Sequence, residues 1–362
     1  MKGNRYIRQT VLKDFGPEKQ EMLCRAKVLV VGVGGLGIPV LQYLSAMGVG
    51  TLGMVEQDII ELSNLQRQVL YKEEDLGKQK IQIAYDTLKR LNSETNLRVH
   101  DTFLTRGNAL DILGDYDLII DASDNFATRY LINDACVILN KPFVSGAIHG
   151  FEGQVSVFNY KDGPTYRCLF PSVPEQGNIP DCNENGVLGV IPGIIGTFQA
   201  LEAVKVITKT AEIMSGILLL YNGLDQSVRK IKFPTVKENK YRKDLELNYE
   251  PILCKLEELV SVHSLNELLN DKSPLSIIDV RSFAEFTQEA IEGARNVPLE
   301  EISVHFTNDP MEHPIYFICQ TGIRSQRAIQ LLKRIHPKTP MYSVIGGMDA
   351  WLQEVSATGN KS

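Results

Sequence analysis

Six residues, Gly32-Val33-Gly34-Gly35-Leu36-Gly37, form a glycine turn directly after the apolar run Val28-Leu29-Val30-Val31. Between a strand and a helix, such a turn lets backbone N–H groups approach an anion without interference from Cβ atoms, and the helix N-terminus adds favourable electrostatics. Glu56 stands at the end of the next expected strand, where an acidic side chain can take ribose hydroxyls. Turn and acid alone would fit NAD or FAD. The residues that follow favour a different ligand. Asn64-Leu65-Gln66-Arg67-Gln68 brings a cation close behind Glu56, and Lys80 brings a second. Ala122-Ser123-Asp124-Asn125 puts Asp124 just past the end of a third strand, where open α/β sheets bind their ligands. Taken singly, Arg67 or Lys80 reads as part of a solvated ion pair. Two cations with a carboxylate suit a triphosphate with Mg2+.

A second loop, Cys319-Gln320-Thr321-Gly322-Ile323-Arg324, follows Ile315-Tyr316-Phe317-Ile318 and leads into a helix expected over 325–334. Backbone N–H groups at a helix N-terminus favour a reactive thiolate, and Arg324 adds positive charge. Gly322 and the polar neighbours speak against an inert buried thiol. The spacing is Cys-x4-Arg, one residue shorter than the Cys-x5-Arg loop with which tyrosine phosphatases enclose phosphate.

The elements that must position these loops alternate from the start. Strands are expected over 27–31, 52–56, 118–121 and 143–145, with helices over 38–47 and 79–91, a pattern that implies a mostly parallel sheet with crossover helices. Alternating segments over 151–160, 218–221 and 228–233 read as antiparallel strands added to that sheet. Between them lie a loop over 171–186 rich in Pro, Asn and Gly, and a helix around 197–208. The charged stretch 234–250 reads as a linker. A second α/β pattern runs over 253–355, with strands at 276–280, 315–318 and 341–344. A chain of 362 residues is long for one domain, so two are expected. The net charge of -6 argues against broad nucleic-acid binding. The first residues lack the apolar core of a signal peptide, and the best apolar run, 186–198, is short and interrupted by Pro192. No membrane span and a cytoplasmic location are the resulting expectations. Six sparse cysteines read as reduced thiols.

Together, Arg5-Tyr6-Ile7-Arg8-Gln9, the glycine turn, Ser63-Asn64-Leu65-Gln66-Arg67-Gln68, Gly77-Lys78-Gln79-Lys80 and Asp121-Ala122-Ser123-Asp124-Asn125 resemble the ThiF/MoeB/HesA family, bacterial relatives of ubiquitin-activating enzymes. The resemblance implies a Rossmann-like, ubiquitin-activating-type α/β domain with added antiparallel strands. It also implies an activity: Mg·ATP-dependent adenylation of the C-terminal carboxylate of a small ubiquitin-like protein ending in Gly-Gly. By matching positions, Gly34 and Gly35 lie at the phosphates, Glu56 at the ribose, and Asn64, Arg67 and Lys80 around the phosphates. Asp124, with Asn125 beside it, holds Mg2+, and Arg8 is supplied by the other subunit of a homodimer. Many relatives bind zinc through two Cys-x-x-Cys pairs. Here the first is reduced to Thr165-Tyr166-Arg167-Cys168 and the second is missing, so zinc is not expected. Cys182 matches a cysteine that in some members joins covalently to the carrier.

The cysteine loop resembles that of rhodaneses, which fits a persulfide sulfur better than a phosphate. Ile277-Ile278-Asp279-Val280-Arg281, Glu285-Phe286, Gly293-Ala294-Arg295-Asn296-Val297-Pro298 and Gly346-Gly347-Met348-Asp349-Ala350-Trp351 agree. Asp279 and Arg281 read as structural, and Trp351 as a core or cap residue. The two resemblances imply an adenylation domain over 1–234, a linker over 235–252 and a smaller α/β rhodanese domain over 253–358. The implied reaction passes a persulfide sulfur from Cys319 to the acyl-adenylate, giving a thiocarboxylate. The sulfur donor would be a cysteine desulfurase or thiosulfate. Such carriers serve molybdenum cofactor (molybdopterin), thiamine and cysteine biosynthesis and tRNA thiolation. The alternative is an enzyme that adenylates another carboxylate or a tRNA, with the rhodanese domain acting only as a binding module.

Overall fold

The computed structural model describes residues 5–172, 186–246, 249, 258–271, 274–306, 313–333, 335–336 and 339–354. They form two compact units, one reaching residue 249 and the other beginning at 258. The first is built on an eight-stranded sheet: β1 (Lys27–Val31), β2 (Thr51–Val55), β3 (Asn96–His100), β4 (Leu118–Asp121), β5 (Phe143–His149), β6 (Glu152–Phe158), β7 (Ile217–Asn222) and β8 (Ser227–Lys232). Their order is β3-β2-β1-β4-β5-β6-β7-β8. The first five in that order are parallel and the remaining pairings antiparallel. Val28 to Val31 and Leu118 to Asp121 are buried throughout, as unbroken apolar strands of a parallel sheet covered on both faces must be. The chain runs outward from β1 in one direction through β2 and β3, and in the other through β4 and β5. The crevice at the ends of β1 and β4 is therefore the switch point of the sheet.

Three elements differ from the pattern. Strand β3 carries polar residues and is only half covered, because it is the edge of the sheet. The helix Phe126–Ile138 is buried over ten of its positions and has no clean polar face to reveal its period. The helix Val190–Thr208 begins well before residue 197. Pro192 falls in its first turn, where a missing N–H costs nothing. With 19 residues it is long and apolar enough to cross a membrane by length and composition, contrary to the expectation that no segment is. More than half of its most apolar stretch is buried, with Ile191, Ile195 and Ala203 in the core against the sheet.

The charged segment expected to be a linker is docked onto the first unit. Leu245 and Tyr249 are buried. Arg242 donates to the buried carboxylate of Asp134 at 2.9 Å and to Glu246 at 2.8 Å. Arg167 donates to Asp134 from two nitrogens, each at 2.8 Å, and to Glu246 at 2.9 Å. The Arg167 guanidinium lies over the ring of Tyr130. Two guanidiniums and two carboxylates balance one another, so Arg242 and Glu246 of the charge run are engaged in a partly buried quartet, while Lys237, Glu238, Lys243 and Asp244 stay exposed. The Cys168 sulfur accepts the N–H groups of Thr165 at 3.4 Å and Val236 at 3.3 Å, adding a further tie. Among the described residues no group of three or more His, Cys, Asp and Glu could hold a metal ion. Asp134→Asn leaves two guanidiniums short of a counter-charge, and breaking a buried pair from one side costs about 3–5 kcal/mol. Thermal unfolding of the variant should come on the order of 10 °C lower; a midpoint matching the parent would show the quartet to be ornamental.

The second unit has an all-parallel sheet of β9 (Leu259–Val260), β10 (Ser276–Asp279), β11 (Arg295–Asn296), β12 (Ile315–Ile318) and β13 (Met341–Val344), in the order β11-β10-β12-β13-β9. Ile278, Phe317 and Ile329 anchor one side of it, and Leu265, Ile318 and Met348 the other, with Trp351 packed on that second cluster. The helix Ile323–Lys333 starts inside the cysteine loop, two residues earlier than its pattern indicates.

Candidate active sites

A cleft of about 380 Å³ opens at the switch point of the large sheet. Gly34, Gly35, Glu56, Arg67, Lys80, Asp124 and Asn125 all line it. Gly32 has φ +95, and a Cβ there would sit 2.7 Å from the Ala122 carbonyl oxygen, so the turn can pass β4 this closely only as glycine. Helices Gly37–Ala46 and Phe126–Ile138 both start at the cleft, and their N-termini favour an anion.

Glu56 accepts the Val33 N–H at 3.0 Å on one oxygen, and those of Gln57 and Asp58 at 3.0 and 3.1 Å on the other. A carboxylate oxygen carries two lone pairs, so capacity for ribose hydroxyls remains. Tyr71 donates to the Val33 carbonyl at 2.8 Å, and burial raises its phenol pKa strongly, with Glu56 and Asp58 adding to the rise. Val33 is thus held on both its N–H and its C=O. Lys80 is buried, with its ammonium 3.0 Å from Asp58. Arg67 donates to the Ser63 carbonyl at 3.0 Å. Asn64 does not line the cleft. It accepts the Glu61 N–H, and its own carbonyl takes the N–H groups of Arg67 and Gln68, so it braces the turn that presents Arg67. Gln68 does line the wall, and its buried Oε1 has no hydrogen-bond partner among the described residues.

Asp124 is exposed in the cleft beside Asn125, whose side chain caps the helix Phe126–Ile138 by accepting the Thr128 N–H at 2.8 Å. Their loop is fixed from below by buried Asp121. That carboxylate accepts the hydroxyls of Ser123 at 2.6 Å and Ser145 at 2.7 Å, and its carbonyl takes the Gln199 amide at 2.7 Å. Two cations, Arg67 and Lys80, two helix N-termini and the carboxylate of Asp124 at the mouth fit a Mg-bound triphosphate, while the orphaned Gln68 oxygen is an acceptor open to a ligand N–H or hydroxyl. Mg2+ commonly takes one or two carboxylates and fills its remaining positions with phosphate oxygens and water.

Arg8 lies elsewhere. It is exposed on the short helix Ile7–Thr10, between two anchored neighbours. Gln9 donates to the Met47 carbonyl at 3.0 Å and to Gln20. The Tyr6 ring fills the space above Gly48, and its oxygen accepts from Asn92 at 3.0 Å. Met47 and Gly48 stand at the far end of the helix that starts at the glycine turn, about 15 Å from it at 1.5 Å per residue over ten residues. Cys182 lies outside the described residues; Gly186 and Val187, which follow it, line the cleft.

In the second unit, Cys319 is buried at the end of β12. Its sulfur accepts the Gly322 N–H at 3.1 Å and lies 3.7 Å from the Ser325 hydroxyl. Gly322 has φ +99, a conformation that turns its N–H inward and that a side chain would strain. Helix Gly347–Glu354 receives the loop from behind: the N–H groups of Met348 and Asp349 bond the carbonyls of Cys319 and Gln320. Gly347 allows this, since a Cβ there would come 2.1 Å from the Cys319 oxygen. The Gln320 side chain is held between Arg281, at 3.1 Å, and Asp349. Arg281 is in turn locked by Asp279, so this pair positions the loop. Thr321 and Ile323 are part-exposed at its rim. Arg324 donates through both Nη atoms to Glu285, one bond measuring 2.8 Å. Those bonds pull the Glu285 carboxyl down to about 2, against partial burial and with help from the N–H and hydroxyl of Ser282.

The ThiF family profile matches residues 6–243, and that of the rhodanese-like domain matches residues 261–354. The adenylyltransferase and sulfurtransferase MOCS3 of Culex quinquefasciatus is 38% identical to this chain, over 97% of the chain and 87% of its own length. The sulfur carrier protein adenylyltransferase of Thermus thermophilus is 52% identical over 65% of the chain and 88% of its own length. Among solved structures, E. coli MccB with ATP superposes with a TM-score of 0.54 at 21% identity, covering 60% of this chain and 66% of that one, a likeness of fold. The chain belongs to the ThiF family and is an adenylyltransferase carrying a C-terminal rhodanese-like sulfurtransferase domain.

Proposed function

We propose that the chain adenylates the C-terminal glycine carboxylate of a ubiquitin-like sulfur-carrier protein, and then uses a persulfide on Cys319 to turn the acyl-adenylate into a thiocarboxylate. The observation that carries this reading is the presence, on one chain, of a cleft lined by Gly34, Gly35, Arg67, Lys80 and Asp124 and of a cysteine cradled in a Cys-x4-Arg loop. In the first step the carrier carboxylate attacks the α-phosphorus and pyrophosphate leaves. Arg67, Lys80 and the N–H groups of the glycine turn face the charge that builds up on the phosphates. Lys80 exchanges its contact with Asp58 for a phosphate oxygen. Mg2+ at Asp124 would neutralise further phosphate charge. In the second step the terminal sulfur of the Cys319 persulfide attacks the acyl carbon and AMP departs. An external thiolate then attacks the Cys319 sulfur of the resulting acyl disulfide; the S–S bond breaks, the thiocarboxylate leaves, and Cys319 is left in a mixed disulfide that a second thiol reduces.

The reading is tested by ATP–pyrophosphate exchange with and without a Gly-Gly-ending carrier. Exchange should depend on the carrier; carrier-independent exchange would favour the alternative of a small carboxylate substrate. The distance of Arg8 from its own cleft supports its delivery to the cleft of a second copy. Mixing Arg8→Ala with Asp124→Asn chains should then restore exchange to about a quarter of the parent rate, because a random half of the molecules are mixed dimers, each with one intact cleft. No recovery on mixing would exclude that arrangement.

A further inference from the structure

The arginine that closes the cysteine loop is already spent. Both of its Nη atoms are used by Glu285, which is itself fixed by the N–H and hydroxyl of Ser282 at the start of the helix Phe283–Gln288. The pair is about one-third exposed, so it sits at the mouth of the loop rather than beneath it. A second cation in contact with the loop, Arg281, is buried and committed to Asp279, Gln320 and the Glu289 carbonyl. Asp349 adds a carboxylate on the far side of Gln320. Among the described residues, the groups holding the loop thus comprise two guanidiniums against three carboxylates, before the charge of the Cys319 thiolate is counted. An anion approaching the remaining edge of Arg324 must also approach the Glu285 carboxylate.

We propose that Glu285 selects the class of sulfur donor: by neutralising Arg324 it disfavours the thiosulfate dianion and leaves the loop to a persulfide carried on a thiol. This rests on the persulfide role of Cys319 proposed above. With the favoured donor, the Cys319 thiolate attacks the outer sulfur of R–S–S⁻, the S–S bond breaks, the donor leaves as R–S⁻, and the sulfur remains as Cys319–S–S⁻. With thiosulfate the same attack would expel sulfite. Both exchanges balance without an added oxidant or reductant. The electrostatic difference is that thiosulfate brings two negative charges to the Glu285 side of the loop, whereas a thiol-borne persulfide brings at most one at its reacting end.

The full-length chain is incubated with thiosulfate or with cysteine persulfide, and loading is followed by mass spectrometry of the Cys319 peptide, which gains about 32 Da with one sulfur. The readout is the ratio of kcat/KM for thiosulfate to that for cysteine persulfide. Glu285→Gln keeps the shape but removes the charge, and should raise this ratio about tenfold or more; Glu285→Asp should keep it near the parent value. A ratio unchanged or lowered in Glu285→Gln overturns the proposal. In the parent chain, added salt should speed loading from thiosulfate, because like charges are screened; slowing by salt overturns the proposal even if the variant does not fold. If neither donor loads the parent chain on Cys319, the persulfide reading itself falls and this inference with it, a result distinct from loading without discrimination.

Discussion

Asp124→Ala is expected to lower carrier-dependent ATP–pyrophosphate exchange at least about a thousandfold, equivalent to about 4 kcal/mol of lost transition-state stabilisation. Its carboxylate is exposed, and its one side-chain hydrogen bond among the described residues is a long 3.4 Å contact with Asn125. Removing it therefore costs the fold little, and the thermal midpoint should stay within a degree or two of the parent. The loss falls on the reaction because Asp124 is the carboxylate held at the cleft mouth by the buried frame of Asp121, Ser123, Ser145 and Gln199. Lys80→Ala should come close in size but for a different reason: it removes a buried cation and leaves Asp58 facing the phosphates. If Asp124→Ala exchanges at a tenth of the parent rate or better, the metal-binding part assigned to Asp124 is wrong.

The second large effect divides the two halves of the chain. Cys319→Ala should leave carrier-dependent exchange within about twofold of the parent while reducing thiocarboxylate formation at least about a thousandfold, since no other group replaces a transferring sulfur. Cys319 belongs to a unit with its own sheet and core, so its loss falls on the packing of that unit. The substitution deletes the acceptor of the Gly322 N–H but leaves the loop held by Met348, Asp349 and the Ser325–Ser343 hydroxyl pair. Exchange falling in parallel with thiocarboxylate would mean that the two steps are not separable in this way.

Much of the first site could be read from the sequence because it is written in contiguous loops. The glycine turn and Ala122-Ser123-Asp124-Asn125 each follow an apolar strand, and the parallel sheet brings the ends of β1 and β4 side by side. What escaped was everything that arrives from a distance. Tyr71 reaches Val33 across 38 positions, and Gln199 reaches Asp121 across 78, through folding rather than local pattern. Asn64 sits in the right motif, yet its side-chain oxygen turns back to the Glu61 N–H while its backbone carbonyl holds the Arg67 turn, a distinction that only the backbone path decides. The segment around Arg242 and Glu246 reads as a linker because its partners, Asp134 and Arg167, lie on other elements. Pro192 reads as a break, but in a first helical turn it is neutral. In the second unit the Cys-x4-Arg spacing was visible, whereas the pairing that spends Arg324 on Glu285 depends on a capped helix whose approach to the loop no local spacing encodes.

The most direct measurement is the mass of the carrier after incubation with this chain, Mg·ATP and a persulfide donor. The account predicts a gain of about 16 Da at the C-terminal glycine, sulfur for oxygen, that requires Cys319 and Asp124 together. A carrier that gains the sulfur with Cys319→Ala in place of the parent, or that never gains it although exchange proceeds, would contradict it.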